Sequence, residues 1–131
     1  MFKINYVTND VALDAGTFID MANKVWVGQY HTQYTKEALA RTINTTAWYG
    51  DNLVGCVRVL SDGYFFGTIT EILVLPNYQN QGIGKRLMEF AFETSPTSLF
   101  FGAQAEAVGF YENLGYEKSH QSFSKKKPRK Q

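Results

Sequence analysis

Hydrophobic and polar positions change their period several times along the chain, and each change predicts an element. Residues 4–7, Ile-Asn-Tyr-Val, read as a first strand. Across residues 11–27 the apolar positions Leu13, Phe18, Met21, Val25 and Trp26 recur at roughly helical spacing. Asn9 or Asp10 is placed to cap that helix and Gly28 to stop it. A polar, aromatic loop is expected over 29–34. Thr35 is then placed to cap a second helix with Leu39 and Ile43 on one face.

The period then shortens. Residues 47–49 and 53–60, joined by Gly50-Asp51-Asn52, read as a hairpin, and Ser61-Asp62-Gly63 marks another turn. Residues 64–75 are rich in β-branched and aromatic side chains and end in Glu71-Ile72-Leu73-Val74-Leu75-Pro76. So continuous an apolar end predicts a central strand buried on both faces and stopped by Pro76. A helix opens near Gly82, with Ile83, Leu87, Phe90 and Ala91 at helical spacing. Residues 98–101 read as a short strand, 105–114 as a helix closed by Gly115, and 116–123 as a last strand. The predicted class is α/β (α+β): helices around one mixed, mostly antiparallel sheet.

Composition narrows the class. At 131 residues, 44% hydrophobic and 15% aromatic, the chain can bury one core, which excludes intrinsic disorder for its body. No apolar run approaches the ~18 residues of a spanning helix. Residues 1–5 lack the basic start and apolar stretch of a secretory leader, so a soluble, cytoplasmic protein with no membrane partner is expected. The lone Cys56 excludes an intramolecular disulfide and a cysteine-based zinc cage, and no metal is expected. Mid-strand, Cys56 reads as a small core residue.

The net charge of +1 conceals an asymmetry. Residues 1–124 carry 8 Lys and Arg against all 12 Asp and Glu, whereas 125–131 carry the remaining five cations. The expected organisation is a folded domain over 1–124 and a frayed basic tail over 125–131. The tail has no interleaved aromatics and the body is acidic, which weighs against nucleic acid and suits a cationic small molecule.

The chemistry concentrates in residues 71–86, EILVLPNYQNQGIGKR. An apolar strand stops at a proline, a polar loop follows, and Gly82 and Gly84 open a helix. Such a helix start presents unpaired N–H groups and partial positive charge, which suit a phosphate or pyrophosphate. Lys85 and Arg86 add positive potential. A P-loop fails, because Gln79 and Arg86 occupy positions needing glycine and serine or threonine. A dinucleotide fingerprint fails at Leu87, where its third glycine belongs.

The pattern Gln79-Asn80-Gln81-Gly82-Ile83-Gly84 resembles the Q/R-x-x-G-x-G/A signature of the GNAT superfamily, the Gcn5-related N-acetyltransferases. Residues 72–76 look like that family's fourth strand and 54–59 like its third. Gly109-Phe110-Tyr111-Glu112-Asn113-Leu114-Gly115-Tyr116 is similar to its second signature, a helix ending in F-Y-x-x-L-G-[FY]. The two signatures stand about thirty residues apart in the right order. The resemblance implies a GNAT fold with six to seven strands and about four helices. It departs at Gln104, where many relatives carry asparagine, and in the short chain after 116–123. There a seventh strand would be stunted or supplied by a partner in a homodimer.

The resemblance also implies a mechanism. Acetyl-CoA would serve as co-substrate, its pyrophosphate on Gln79, Asn80, Gln81, Gly82, Ile83, Gly84 and Lys85, its pantetheine arm along Leu73, Val74 and Leu75. A small-molecule primary amine would attack the thioester directly in a ternary complex. The Val74 N–H would meet the oxyanion and Tyr111 would protonate the departing thiolate. Glu71 is the candidate base acting through water, or else a substrate anchor. Tyr30, His31 and Phe65 are candidate acceptor contacts, with Trp26, Tyr34 and Phe66 nearby. Phe110 is expected in the core, Asp62 in a turn and Glu112 on a helix surface. Two rival readings stand beside it: a non-catalytic acyl-CoA-binding or regulatory module of the same fold, and one in which the basic tail is functional, giving a nucleic-acid-associated protein or a protein-lysine acetyltransferase.

Overall fold

A computed structural model of the chain describes residues 3–28 and 30–128. Gln29, expected to open a loop, and 129–131 of the expected tail lie outside the described residues. The sheet is organised by the predicted hairpin. Strand β2 (Ile43–Tyr49) pairs antiparallel with β3 (Asn52–Ser61) around Gly50, whose φ of +59° suits a two-residue turn. A short β1 (Asn5–Val7) pairs with β2, and β4 (Gly67–Val74) pairs with β3, giving the order β1-β2-β3-β4 with every neighbour antiparallel. Arg58 sits opposite Glu71 and Val59 opposite Ile69, so Thr70 is the extra residue of a bulge.

Helices cover both faces. On one side α1 (Ala15–Val25) and α2 (Thr32–Leu39) bury Phe18, Met21, Ala22 and Leu39 against Leu53, Cys56 and Leu73. On the other, α3 (Ile83–Thr94) lays Ile83, Leu87, Met88 and Ala91 on Ala47, Val54, Val57 and Val59. The helical spacing read at Ile83, Leu87 and Ala91 is therefore the buried stripe of α3. A short α4 (Val108–Asn113) completes the four helices, and Gly115 follows it at φ +87°.

The helix starts differ from expectation. Asp10 does not cap α1. Its N–H donates to Asn44 O at 2.6 Å, and its Oδ2 accepts from Thr46 Oγ1 at 2.7 Å, so it ties the preceding loop to β2. Asp14 is the cap, accepting from Thr17 N at 3.0 Å. His31, not Thr35, caps α2. Ile43 belongs to β2, because Asn44 Nδ2 donates to Leu39 O at 2.9 Å and closes the helix before it.

Strand number is also corrected. Among the described residues the sheet has four strands, not six to seven. The expected strand at 98–101 is reduced to one parallel bridge, Thr68 with Phe100. Residues 116–123 form no strand. As a result β4, expected at the centre, is the last strand of the sheet, and Glu71, Ile72 and Val74 are only half-buried. Lys125 to Pro128 are exposed and have no regular structure.

Candidate active site

Beyond the bridge at Thr68 and Phe100, residues 101–104 leave β4, and a cleft of about 380 Å³ opens between them. Residues 69–73 of β4 form one wall, and Phe101, Gln104, Ala107 and Tyr111 another. Trp26 and Tyr30, from the end of α1 and the loop after it, also line it. The N–H of Leu75 donates to Val54 O on β3 at 2.9 Å. Alternation along the strand therefore turns the Val74 amide to the opposite, open side. Consistent with this, Val74 O accepts from Gln79 Nε2 at 3.0 Å.

Pro76 opens a 3₁₀ turn (Pro76–Tyr78) that ends β4, and the loop then reverses through Asn80 at φ +63° and Gly82 at φ +86°. Gln81 Nε2 braces the loop on Asn77 O at 3.4 Å. No side chain caps α3. Its first intrahelical donor of this turn is Arg86 N, to Gly82 O at 3.0 Å, so the N–H groups of Ile83, Gly84 and Lys85 precede the helical ladder. A Cβ on Gly82 would meet nothing within 4 Å, so the approach to these groups is open. Arg86 is engaged along the helix instead, 3.4 Å from Glu89 and 4.0 Å over the Phe90 ring.

Tyr111 stands on α4 with its ring between Phe101, at 4.9 Å, and Tyr116, stacked at 6.0 Å. Burial pushes its hydroxyl above the ordinary tyrosine value, and Tyr116 adds to the shift. The phenol therefore holds its proton at neutral pH. Phe110, expected in the core, is 40% exposed, because the six-residue α4 lies at the surface and lays this ring on α3. A Cβ on Gly84 would sit 3.4 Å from Phe110 Cζ and 4.0 Å from Val74 Cγ2. The helix start, the open strand edge and the Tyr111 helix thus converge.

Glu71 lines the cleft, but its Oε1 accepts a 2.6 Å ion-paired hydrogen bond from Arg58 Nη1 on β3. Arg58 was not singled out in the sequence. Its only signal is thirteen residues of separation, which means nothing until the β3–β4 register is known. Of the candidate acceptor contacts, Tyr30 lines the cleft, along with Trp26. His31 Nδ1 accepts from Tyr34 N at 3.4 Å as the α2 cap, and the two rings lie 4.3 Å apart. Neither lines the cleft. Phe65 is 89% exposed in the β3–β4 turn, where Asp62 Oδ1 accepts from the N–H groups of Tyr64, Phe65 and Phe66. Those bonds hold the Asp62 carboxyl below its usual range. Phe66 stacks on Phe100 at 5.9 Å.

Cys56 is fully buried and its thiol is pushed up to about 12 by burial, so it is inert core. Glu112 is exposed and 3.5 Å from Lys118. Among the described residues no group of three His, Cys, Asp or Glu could hold a metal, and no helix is long and apolar enough to cross a membrane.

A helix-flanked antiparallel sheet ends at β4 beside a glycine helix start that no side chain caps, a place suited to an anionic group. The comparisons make this specific. A model of the acetyltransferase (GNAT) domain matches residues 41–118, from the end of α2 to just past α4. The chain is 42% identical over 71 residues to GCN5-related N-acetyltransferase 2, chloroplastic, of Arabidopsis thaliana, covering 50% of this chain and 27% of that protein. It is equally identical to Histone acetyltransferase TAP1 of Glycine max over 71 residues, 50% of this chain and 30% of that one. The match thus spans about a third or less of these relatives' length. The fold of a GNAT-family acetyltransferase from Streptococcus pneumoniae overlays 95% of this chain and 100% of that one, with a TM-score of 0.75 at 24% identity. The chain belongs to the GNAT acetyltransferase family.

Proposed function

We propose that the protein is an N-acetyltransferase that moves acetyl from acetyl-CoA to a primary amine of a small molecule. One observation carries this reading: Val74 on the open strand edge, Gly84 at the uncapped start of α3 and the Phe110–Tyr111 pair meet around one opening. The residues fit the co-substrate. Gln79, Asn80, Gln81, Gly82, Ile83, Gly84 and Lys85 would hold the pyrophosphate, since the N–H groups of Ile83, Gly84 and Lys85 precede the helical ladder and Gly82 leaves space around the helix start. Leu73, Val74 and Leu75 would pair with the amide-bearing arm. When bound, acetyl-CoA supplies the activated acyl group.

A primary alkylamine has a pKa near ~10 and arrives mostly protonated at pH 7. We assign its deprotonation to Glu71 through water, on Oε2, the oxygen that Arg58 Nη1 does not hold. The Val74 N–H would meet the oxyanion formed on attack. Tyr111, kept protonated by burial, would give its proton to the thiolate. Tyr30 and Trp26 would contact the acceptor; His31 and Phe65 stand outside this cleft.

The test is thermal unfolding with acetyl-CoA, CoA and ATP, followed by thiol release over an amine panel. A ligand that binds only the folded state raises Tm by mass action. A shift with acetyl-CoA and none with ATP, together with amine-dependent thiol release, is the expected result. No shift at saturating acetyl-CoA sinks the reading. A shift without turnover on any amine would leave a binding module.

A further inference from the structure

Glu71 is the one charged side chain among the described residues lining the cleft, and its charge is already balanced. Arg58 faces it across the β3–β4 register, with Nη1 2.6 Å from Oε1. The Arg58 side chain is 14% exposed, its guanidinium lies 5.6 Å from the Phe18 ring centre, and its Nε is buried without a hydrogen-bond partner among the described residues. Arg58 is thus held on its strand between the Phe18 ring and the Glu71 carboxylate. Glu71, ion-paired with Arg58, therefore brings no net charge to the cleft lining.

The other lining residues are uncharged, and Trp26, Tyr30, Phe101 and Tyr111 bring aromatic rings to it. A charge moved into a partly desolvated space is costly unless it meets an opposite one. The reacting nitrogen escapes that cost, since it gives up its proton before attack. A second ammonium group would find no unpaired carboxylate.

We propose that Arg58 sets acceptor specificity: by balancing Glu71 it admits amines carrying one positive charge on a flat, apolar body and excludes acceptors carrying two or more. This deepens the proposed function and rests on its placing the acceptor in this cleft. Basic peptide segments and polyamines fall in the excluded class.

The test is calorimetric titration of hexylamine, 2-phenylethylamine and 1,6-diaminohexane into wild-type protein, R58M, R58K and E71Q, with and without saturating CoA. Hexylamine and the diamine differ by one charged group. Wild type is expected to favour hexylamine over the diamine by about tenfold or more, and 2-phenylethylamine over hexylamine. R58M unpairs Glu71 and is expected to move the hexylamine-to-diamine ratio about tenfold towards the diamine, while R58K keeps the wild-type ratio. Should R58M not fold, E71Q decides: an unpaired Arg58 must penalise the diamine further.

Equal or tighter binding of the diamine by wild type overturns the proposal, as does a parallel change for both amines in R58M. Binding of no amine by a protein that acetyl-CoA still stabilises overturns it too, without touching acetyl-CoA recognition. Amine discrimination without any stabilisation by acetyl-CoA overturns the acetyltransferase reading alone.

Discussion

The ring of Tyr111 meets that of Phe101 at a centroid separation of 4.9 Å, edge to face, which fixes α4 to the segment that leaves β4. The contact uses the ring and not the hydroxyl. Tyr111→Phe therefore keeps the ring packing and removes only the hydroxyl. The expected outcome is unchanged stabilisation by acetyl-CoA with kcat lowered by about 10²–10⁴-fold, read by thiol release. Unchanged kcat would show that the thiolate leaves without this residue.

Among the described residues Tyr6, Tyr111 and Tyr116 have pKa values raised above the ordinary tyrosine value of 10.0, in each case chiefly by burial. A folded pKa above the unfolded one means that the folded state holds the proton more tightly. The resulting stability is fully present below about pH 10 and is lost as pH rises through the folded values. Melting temperature is expected to fall as pH rises above about 10, and less steeply in Tyr111→Phe. Equal slopes in the two proteins would show that the Tyr111 hydroxyl is not linked to folding.

Gly82, at φ +86° with open space around it, separates backbone strain from blocked approach. Gly82→Ala is expected to cost about 1–2 kcal/mol in urea unfolding and to abolish the acetyl-CoA thermal shift. Asn tolerates the left-handed region better, so Gly82→Asn is expected to regain stability and still lose the shift. A retained shift in both variants would move the pyrophosphate elsewhere.

Lys125, Lys126 and Lys127 are exposed and have no regular structure. Deleting 125–131 is expected to leave Tm and acetyl-CoA binding unchanged, as a boundary at 124 requires. A marked fall in Tm would put the tail within the folded unit.

Local signals made much of this legible. Ile83, Leu87 and Ala91 repeat as one face of α3, and Gly50 and Gly82 mark backbone that reverses. What failed depended on distant partners. Residues 116–123 begin and end on the aromatic Tyr116 and Phe123, but the side chains between them are polar and the strand expected at 98–101 makes only one bridge. Asp10 looked like a helix cap because its partner Thr46 lies thirty-six residues away. Arg58 and Glu71 became a pair only through a bulged register. The two signatures indicated where the cleft would lie, but not that its one carboxylate would be balanced.

Thr46 links this buried network to the cleft. Its Oγ1 donates to Asp10 Oδ2 and accepts from Trp48 Nε1, both at 2.7 Å, while Asp10 Oδ1 accepts from Ala12 N at 3.2 Å. The network pins the chain entering α1, and α1 ends at Trp26 on the cleft wall. Thr46→Val keeps the shape but deprives Asp10 of a donor and the Trp48 N–H of an acceptor. The expected loss in urea unfolding is about 2–4 kcal/mol, one to two for each polar group left unpaired. A loss under about 0.5 kcal/mol would mean that water replaces both bonds. Because the start of α3 lies on the opposite face of the sheet, acetyl-CoA affinity should hold while KM for the amine rises. Equal weakening of both would show that the variant loosens the whole sheet rather than the wall carrying Trp26.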